Sequence, residues 1–426
     1  MSRRGWTSWY GRSWGECMFE WPLASPPAWA VRPLKELTEK IGSGATPRGG
    51  REVYLPRGTS FIRSQNVLDN RTAMSGLVFI DDEAASSLAG VEVREGDVLL
   101  NITGDSIARC SVVDPELLPA RVNQHVAIIR ATGEINPLFL QKFLVQPEYK
   151  SFMLSLSSGA TRNALTKGQI ERFPIPVPPL WEQSALVRVL GALDGKIAVN
   201  ERIRDAALSL ARACYEAAST TCEPERIGDL AALFDGPHAT PQKTESGPWF
   251  LSISSLKNGY LDLAESAHLS EGDFPRWTRR VQPQAGDVLF SYETRLGDAA
   301  LMPSGVRSSL GRRMGLLRSK SESVSGALLL HAYLSAGFQE EIKRRTIHGA
   351  TVDRLPLKEM PGWHIPLPAE GERERLSVKL DLLHSRVTQT ANESRALAAL
   401  RDNLLPHLMS GKLRVRDAEK IVEDAV

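Results

Sequence analysis

Two stretches of the chain place apolar residues three and four positions apart, and the segments around them are patterned differently. In the first, residues 182–219, Leu186, Leu190, Leu193, Ile197, Ile203, Ala207, Leu210 and Cys214 mark one side of a helix. That spacing belongs to an amphipathic helix rather than an extended strand. No proline interrupts the run. At about 1.5 Å per residue it reaches roughly 50 Å, longer than a lone globular domain needs, so the pattern predicts a strut rather than an ordinary surface helix. The second stretch, residues 372–410, repeats the first. Leu186 matches Leu376, Leu190 matches Leu380, Leu193 matches Leu383 and Ile197 matches Val387, each pair 190 residues apart, and the later positions follow suit. Two helices with the same seam can each cover the other's stripe in an antiparallel coiled coil. Asn200 and Thr390 interrupt the two stripes at the same place, where a polar seam residue commonly fixes register.

Short β-rich runs at residues 59–67, 76–80, 97–102, 110–113 and 122–130 precede the first helix, parted by turn residues. A helix-like run over 33–41 leads into a Gly-rich loop, Gly42 to Gly50, and another helix-like run covers 137–155. The loop lacks the third glycine of a dinucleotide fingerprint and the Lys-Ser/Thr of a nucleotide-binding loop, and Pro47 blocks a following helix. Its remaining options are a plain turn or a contact to a DNA phosphate. The same plan returns before the second helix with other polar residues. Gly96-Asp97-Val98-Leu99 returns as Gly286-Asp287-Val288-Leu289, and Thr46-Pro47 as Thr240-Pro241. Arg63, Gln65 and Asn66 stand where Ser252, Ser254 and Ser255 stand, and Asn123, Gln124 and His125 where Arg312, Arg313 and Met314 stand. A repeat that keeps its apolar positions and changes its polar ones implies two related modules that bind different things of one kind.

The predicted fold class is therefore α+β, with two globular mixed α/β domains, each followed by a long helix, in an internal pseudo-twofold repeat. The expected layout is a poorly ordered extension over 1–30, a domain over 31–180, a spacer helix over 181–222, a second domain over 223–370, a second spacer helix over 371–412 and a tail over 413–426. The extension holds five of the nine tryptophans without periodicity. An aromatic-basic arm and an over-long start to the reading frame are the alternatives there.

Composition narrows the class. At 426 residues with 42% apolar and 24% charged, the chain has ordinary globular character. Its four cysteines form no CxxC pair and no disulfide framework, so no metal site is expected. No apolar run has the length of a membrane span and no signal core follows the start, which makes a cytoplasmic location the default and a membrane partner unexpected. Lysine and arginine number 17 against 16 acidic residues in 31–180, and again 17 against 16 in 226–370. Any grip on phosphates must then come from local clustering or from partner subunits.

The runs GSGATPRGG, GDVLLNITGD, VNQHVAII, SGAT through PIPVPP, LGALDGKIAVNERI and LRDNLLPHLMSGKLRV together resemble the DNA specificity subunit of type I restriction-modification enzymes, over about residues 31–417. The resemblance implies two target recognition domains held apart by a coiled coil, one per half of a split, asymmetric double-stranded DNA site. It implies no catalysis and no cofactor on this chain. Two methyltransferase (modification) subunits using S-adenosylmethionine, and restriction/translocase subunits using ATP and Mg, would be the partners. The Trp-rich beginning departs from the family's short start.

Amide and guanidinium side chains make two-point contacts to base edges, which selects Gln65, Asn66, Asn123, Gln124, Arg312 and Arg313 as candidates, and Arg63 and His125 from the same runs join the DNA-binding set. Thr46, Arg48, Arg162 and Thr240, with Tyr292, Thr294 and Arg295 of the YETR run, complete the DNA-binding set. The rival is a solitary methyltransferase or nuclease. A methyltransferase loop would need a hydrogen-bonding residue where Val177 precedes Pro178-Pro179, and Glu341-Ile342-Lys343 lacks a nearby upstream Asp. A non-catalytic DNA-binding regulator is the third option.

Overall fold

The computed structural model describes residues 29–157, 164–220, 222–257, 259–349 and 352–426. The chain divides into two compact units, Met1–Lys196 with Ala396–Val426, and Ile197–Arg395. Each unit owns part of each long helix.

In unit 1, strands β1 (Ala30–Pro33), β2 (Thr38–Ser43), β3 (Thr59–Ile62), β4 (Val78–Ile80), β5 (Glu92–Val93), β6 (Val98–Asn101), β7 (Cys110–Val112), β8 (Ala120–Val122) and β9 (Val126–Ala131) come first. Helices α1 (Pro137–Leu144) and α2 (Pro147–Ser157), strand β10 (Pro174–Val177) and the long helix α3 (Leu180–Ala218) follow. One sheet has the order β2-β9-β6-β7 and is antiparallel throughout. The other has the order β4-β3-β8-β5, with β3 and β8 parallel. Strand β6 is buried at all four positions, which explains why three apolar residues run together before Asn101 instead of alternating, and the buried Asn101 amide donates to the Ser64 and Val67 carbonyls.

Unit 2 repeats this frame. Its strands are β11 (Cys222–Arg226), β12 (Ala231–Asp235), β13 (Thr244–Phe250), β14 (Ala267–His268), β15 (Val288–Ser291), β16 (Ala299–Leu301), β17 (Ser308–Ser309) and β18 (Met314–Ser319). Then come helices α4 (Gly326–Leu334) and α5 (Ala336–Arg345), strand β19 (His364–Pro368) and the long helix α6 (Glu370–Met409), after which α7 (Val415–Glu423) belongs to unit 1. The antiparallel sheet β12-β18-β15-β16 matches β2-β9-β6-β7, and β14-β13-β17 again contains a parallel pair, β13 with β17.

The shared Gly-Asp-Val-Leu run has a structural reason. Gly96 and Gly286 turn the chain at positive φ, 80° and 87°. The carboxylates of Asp97 and Asp287 are buried, and each accepts a backbone N–H at 2.7 Å and a guanidinium, from Arg130 or Arg318. A buried charge persists only when paired in this way.

The long helices pack together in both units. In unit 1, Leu186, Leu190 and Leu193 of α3 are buried, as are Leu397, Leu404 and Leu408 of α6, and Arg401 reaches Asp194 at 2.8 Å. In unit 2, Ala211 and Tyr215 of α3 share one core with Leu376 and Leu380 of α6. Arg204 stacks on Tyr260 while Asp262 attracts Arg395, and His384 pairs with His331, whose ring Tyr215 covers. Rising numbers on α3 thus meet falling numbers on α6, so the pair is antiparallel. Val387 is buried, and Ile197 and Leu383 are half-buried. The seam drifts beyond Ala207: Leu210 is 51% exposed, and Ala211 and Tyr215 take the inward positions. A straight helix outruns a strict seven-residue repeat, so a stripe extrapolated from one end misses the far end. Asn200 and Thr390 are both buried, but Thr390 spends its hydroxyl on its own helix, at Arg386 and Val387.

Two expectations change, and the structure adds a helix to the tail and places a proline inside the second long helix. The run 33–41 is a single 3-10 turn (Leu34–Leu37) followed by β2, because Ile41 and its neighbours pair with β9. Trp29 and Ala30 belong to the folded unit. Trp29 is buried against Phe139 and donates to Glu182 at 3.2 Å, and Ala30 pairs with Val177. The rest of the Trp-rich stretch lies outside the described residues. The tail contains α7, whose Ala418 and Val422 are buried and whose Glu419 meets Arg188. The second long helix holds Pro406 in its last turn, where the ring removes one N–H from the helix ladder.

Candidate nucleic-acid interface

In each unit one end of the antiparallel sheet carries three loops: the one after β2 or β12, the one after β6 or β15, and the one before β9 or β18. In unit 1 the first bend requires Gly44, because a Cβ there would lie 2.1 Å from the Val122 carbonyl, and its N–H donates to Val126 at 2.9 Å. Gly236 does the same in unit 2, donating to Met314 at 3.0 Å. Counting from these glycines, Thr46 corresponds to His238. The strand pairs Val126 with Asn101 and Met314 with Ser291 make His125 the counterpart of Arg313 and Gln124 that of Arg312, one residue from the match the sequence suggests.

The pairs formed across these loops are alike in place and unlike in chemistry. In unit 1, Thr46 donates to the amide oxygen of Gln124. His125 Nδ1 lies 2.7 Å from the Thr103 hydroxyl. The Asn123 amide oxygen accepts the His125 N–H at 3.2 Å, and Asn123 N–H donates to Ile62, which brings the Arg63–Gln65 turn alongside. Arg63 itself lies over the Tyr54 ring at 5.4 Å and donates to Gly76 at 2.6 Å. In unit 2 the same places hold charge. Arg313 meets Glu293 at 3.2 Å and donates to His238 Nδ1 at 2.8 Å, while His238 Nε2 lies 3.1 Å from Asp235. Arg280 approaches Asp235 at 3.6 Å. Tyr292 is buried beside them, and burial, with the Asp235 carboxylate adding to it, pushes its hydroxyl pKa up. Backbone N–H groups, hydroxyls, amides and guanidinium forks collected at one sheet end suit a surface of fixed donors and acceptors such as a base edge.

A family model described as the type I restriction modification DNA specificity domain matches residues 26–208. That stretch carries a type I restriction-modification DNA specificity domain. A putative type I restriction enzyme specificity subunit from Methanocaldococcus jannaschii is 21% identical, over 92% of this chain and 95% of its own length. One from Haemophilus influenzae is 23% identical over 65% of this chain and 71% of its own. The crystal structure of a type I restriction-modification S subunit from M. genitalium has a TM-score of 0.52 at 14% identity, covering 89% of this chain and 96% of that one. That likeness concerns the fold.

Within this specificity fold the candidate residues separate into two kinds. Asn66 is fully buried and closes its own turn, accepting from Arg63 N–H and donating to Ala73 and Ser75. Ser255 does the same in unit 2, accepting the Ser252 N–H. Both are scaffold, since a buried side-chain amide or hydroxyl bonded on every side has nothing left for a ligand. Asn123 is likewise buried and holds the His125 loop. Thr46, Arg48, Gln65, Gln124, Thr240, Thr294, Arg295 and Arg312 are exposed, with Arg295 paired to Asp298 at 2.6 Å. Arg162 lies outside the described residues. Sequence reasoning missed Thr103, Asp235 and His238, and took Glu293 only as part of the YETR run. The matching Thr-Pro strings pointed to Thr240, two residues past the true counterpart of Thr46.

Proposed function

We propose that this chain is the DNA-recognition subunit of a type I restriction-modification complex, each unit reading one half of a bipartite asymmetric site. The observation that carries the reading is the pair of equivalent sheet ends, built on one frame and furnished with different side chains, Thr46, Gln124 and His125 in unit 1 where unit 2 has His238, Arg312 and Arg313. A single conserved function such as catalysis would require the same groups in both; discrimination between two half-sites requires different ones. The paired helices serve as a coiled-coil spacer and as the platform for two methyltransferase subunits, and restriction/translocase subunits complete the complex. S-adenosylmethionine, ATP and Mg belong to those partners, and adenine methylation or cleavage is theirs. No helix among the described residues is long and apolar enough to cross a membrane, and a cytoplasmic complex acting on DNA fits this reading.

The test is the methylated genome of a host with and without the chain, beside its modification subunit. A bipartite methylated sequence that vanishes with this chain is the expected result. Methyl transfer to DNA by the purified chain alone, from labelled S-adenosylmethionine, would instead favour an enzyme.

A further inference from the structure

We propose that Arg313 reads a guanine in the half-site served by unit 2, while its exposed neighbour Arg312 contacts phosphate. The assignment rests on the specificity-subunit reading and adds the base and the residue. It begins with what holds the Arg313 fork. Its Nη1 donates to His238 Nδ1 at 2.8 Å. A guanidinium has only donors, so Nδ1 must be the acceptor and the His238 proton sits on Nε2, facing Asp235 at 3.1 Å. Glu293 approaches Arg313 Nε at 3.2 Å from its own loop. The fork is therefore held by one hydrogen bond, to His238, with the Glu293 carboxylate beside it on a different loop. Tyr292 N–H bonds the Arg313 carbonyl at 3.3 Å and ties those loops together.

The backbone adds an independent observation. Arg313 has φ of 66° and Thr294, two residues beyond Tyr292, has φ of 67°. Residues other than glycine hold this left-handed conformation only where their surroundings enforce it, and such positions gather at functional sites. Here two adjoining loops each hold one.

These features separate the two arginines. A phosphate contact calls for net charge and tolerates a loose side chain. Arg312 is exposed and answers to that description. Arg313 is half-buried, and the nearby Glu293 carboxylate offsets much of its charge, which weakens its pull on a phosphate, while the bond to His238 limits how its remaining N–H groups can turn. A fixed pair of donors matches two acceptors at fixed spacing, which guanine presents as O6 and N7 in the major groove. Unit 1 has His125 at the same register position, paired with neutral Thr103, so the effect belongs to one half-site alone.

The experiment is methylated-genome sequencing of a host carrying the full chain with its modification subunit. Exchange of residues 223–370 for those of a relative identifies which half-site unit 2 reads. With Arg313→Gln, one G·C position in that half-site loses its preference, by about 10- to 100-fold, and the other half-site keeps every letter. Arg313→Lys keeps the charge without the two-point geometry and relaxes the same position. Arg312→Gln keeps all letters and lowers methylation evenly. If both Arg313 variants keep every letter while occupancy falls, or if Arg313→Lys restores the original behaviour, Arg313 is a phosphate contact and the assignment is overturned. A wild-type chain that yields no methylated sequence would overturn the specificity-subunit reading itself, a distinct outcome.

Discussion

At the scale of single residues, chemistry visible in the sequence is sorted by burial, which is not. Gln65 and Asn66 are neighbours and carry nearly the same group. The Asn66 amide is spent on Arg63, Ala73 and Ser75, while Gln65 is exposed and makes one long contact of 3.4 Å to Gly76. Asn66→Ala is expected to lower stability by about 2 kcal/mol or more, because it strands buried backbone groups, and to lower the melting temperature by several degrees. Gln65→Ala should leave melting within the small range of surface changes and alter DNA preference instead. Thermal melting of both full-length variants checks this, and equal losses would remove the distinction between scaffold and reader. The same sorting explains what was legible. Shared apolar strings identified the frame, but a slip of one residue before β18 and of two after β12 hid the Arg313–His238 pair. Only strand register exposes such slips.

At the scale of elements, the two domain-to-helix junctions occupy matching places and use different chemistry. Lys142 of α1 meets Asp194 of α3, and Arg401 of α6 joins the same carboxylate. In unit 2, 189 and 190 residues further on, His331 of α4 meets His384 of α6 at 3.0 Å. Both rings are buried, and burial is the main cause that pushes His331 down to about 3 and His384 down to about 4; the charge of Arg212 adds to the shift at His331. A histidine whose folded pKa lies below its unfolded value gives stability that is intact above about pH 6.5 and is lost as pH falls toward the folded value. Unit 2 should therefore weaken between about pH 6.5 and 4, by a few kcal/mol in all. Replacing both histidines with leucine removes that slope: melting temperatures of wild type and double variant should draw together, then cross, as the pH is lowered. Parallel melting curves across that range would show that the pair is already protonated in the fold. Nothing in the 190-residue repeat announced this pair, since neither histidine falls on the seam positions by which the helices were recognised.

At the scale of the whole molecule, the duplication makes the long helices common property: α3 and α6 each pass from one unit to the other, at 196/197 and 395/396. Lengthening only one of them would put every seam residue beyond the insertion out of step with its partner, and the buried leucines on both sides would lose their cover. Lengthening both at those boundaries keeps the pairing inside each unit. Four residues add roughly 6 Å and a little over one helical turn, so the apolar stripe returns close to its original side. If the helices measure the gap between half-sites, the paired insertion should lengthen the unread spacer by one or two base pairs, at about 3.4 Å each. Both half-sites should remain unchanged, because the loops of β12, β15 and β18 and their counterparts in unit 1 lie wholly within their own units. Methylated-genome sequencing reads spacer and half-sites together. An unaltered spacer, from a variant that melts like the parent and still directs methylation, would mean that some element other than α3 and α6 sets the distance.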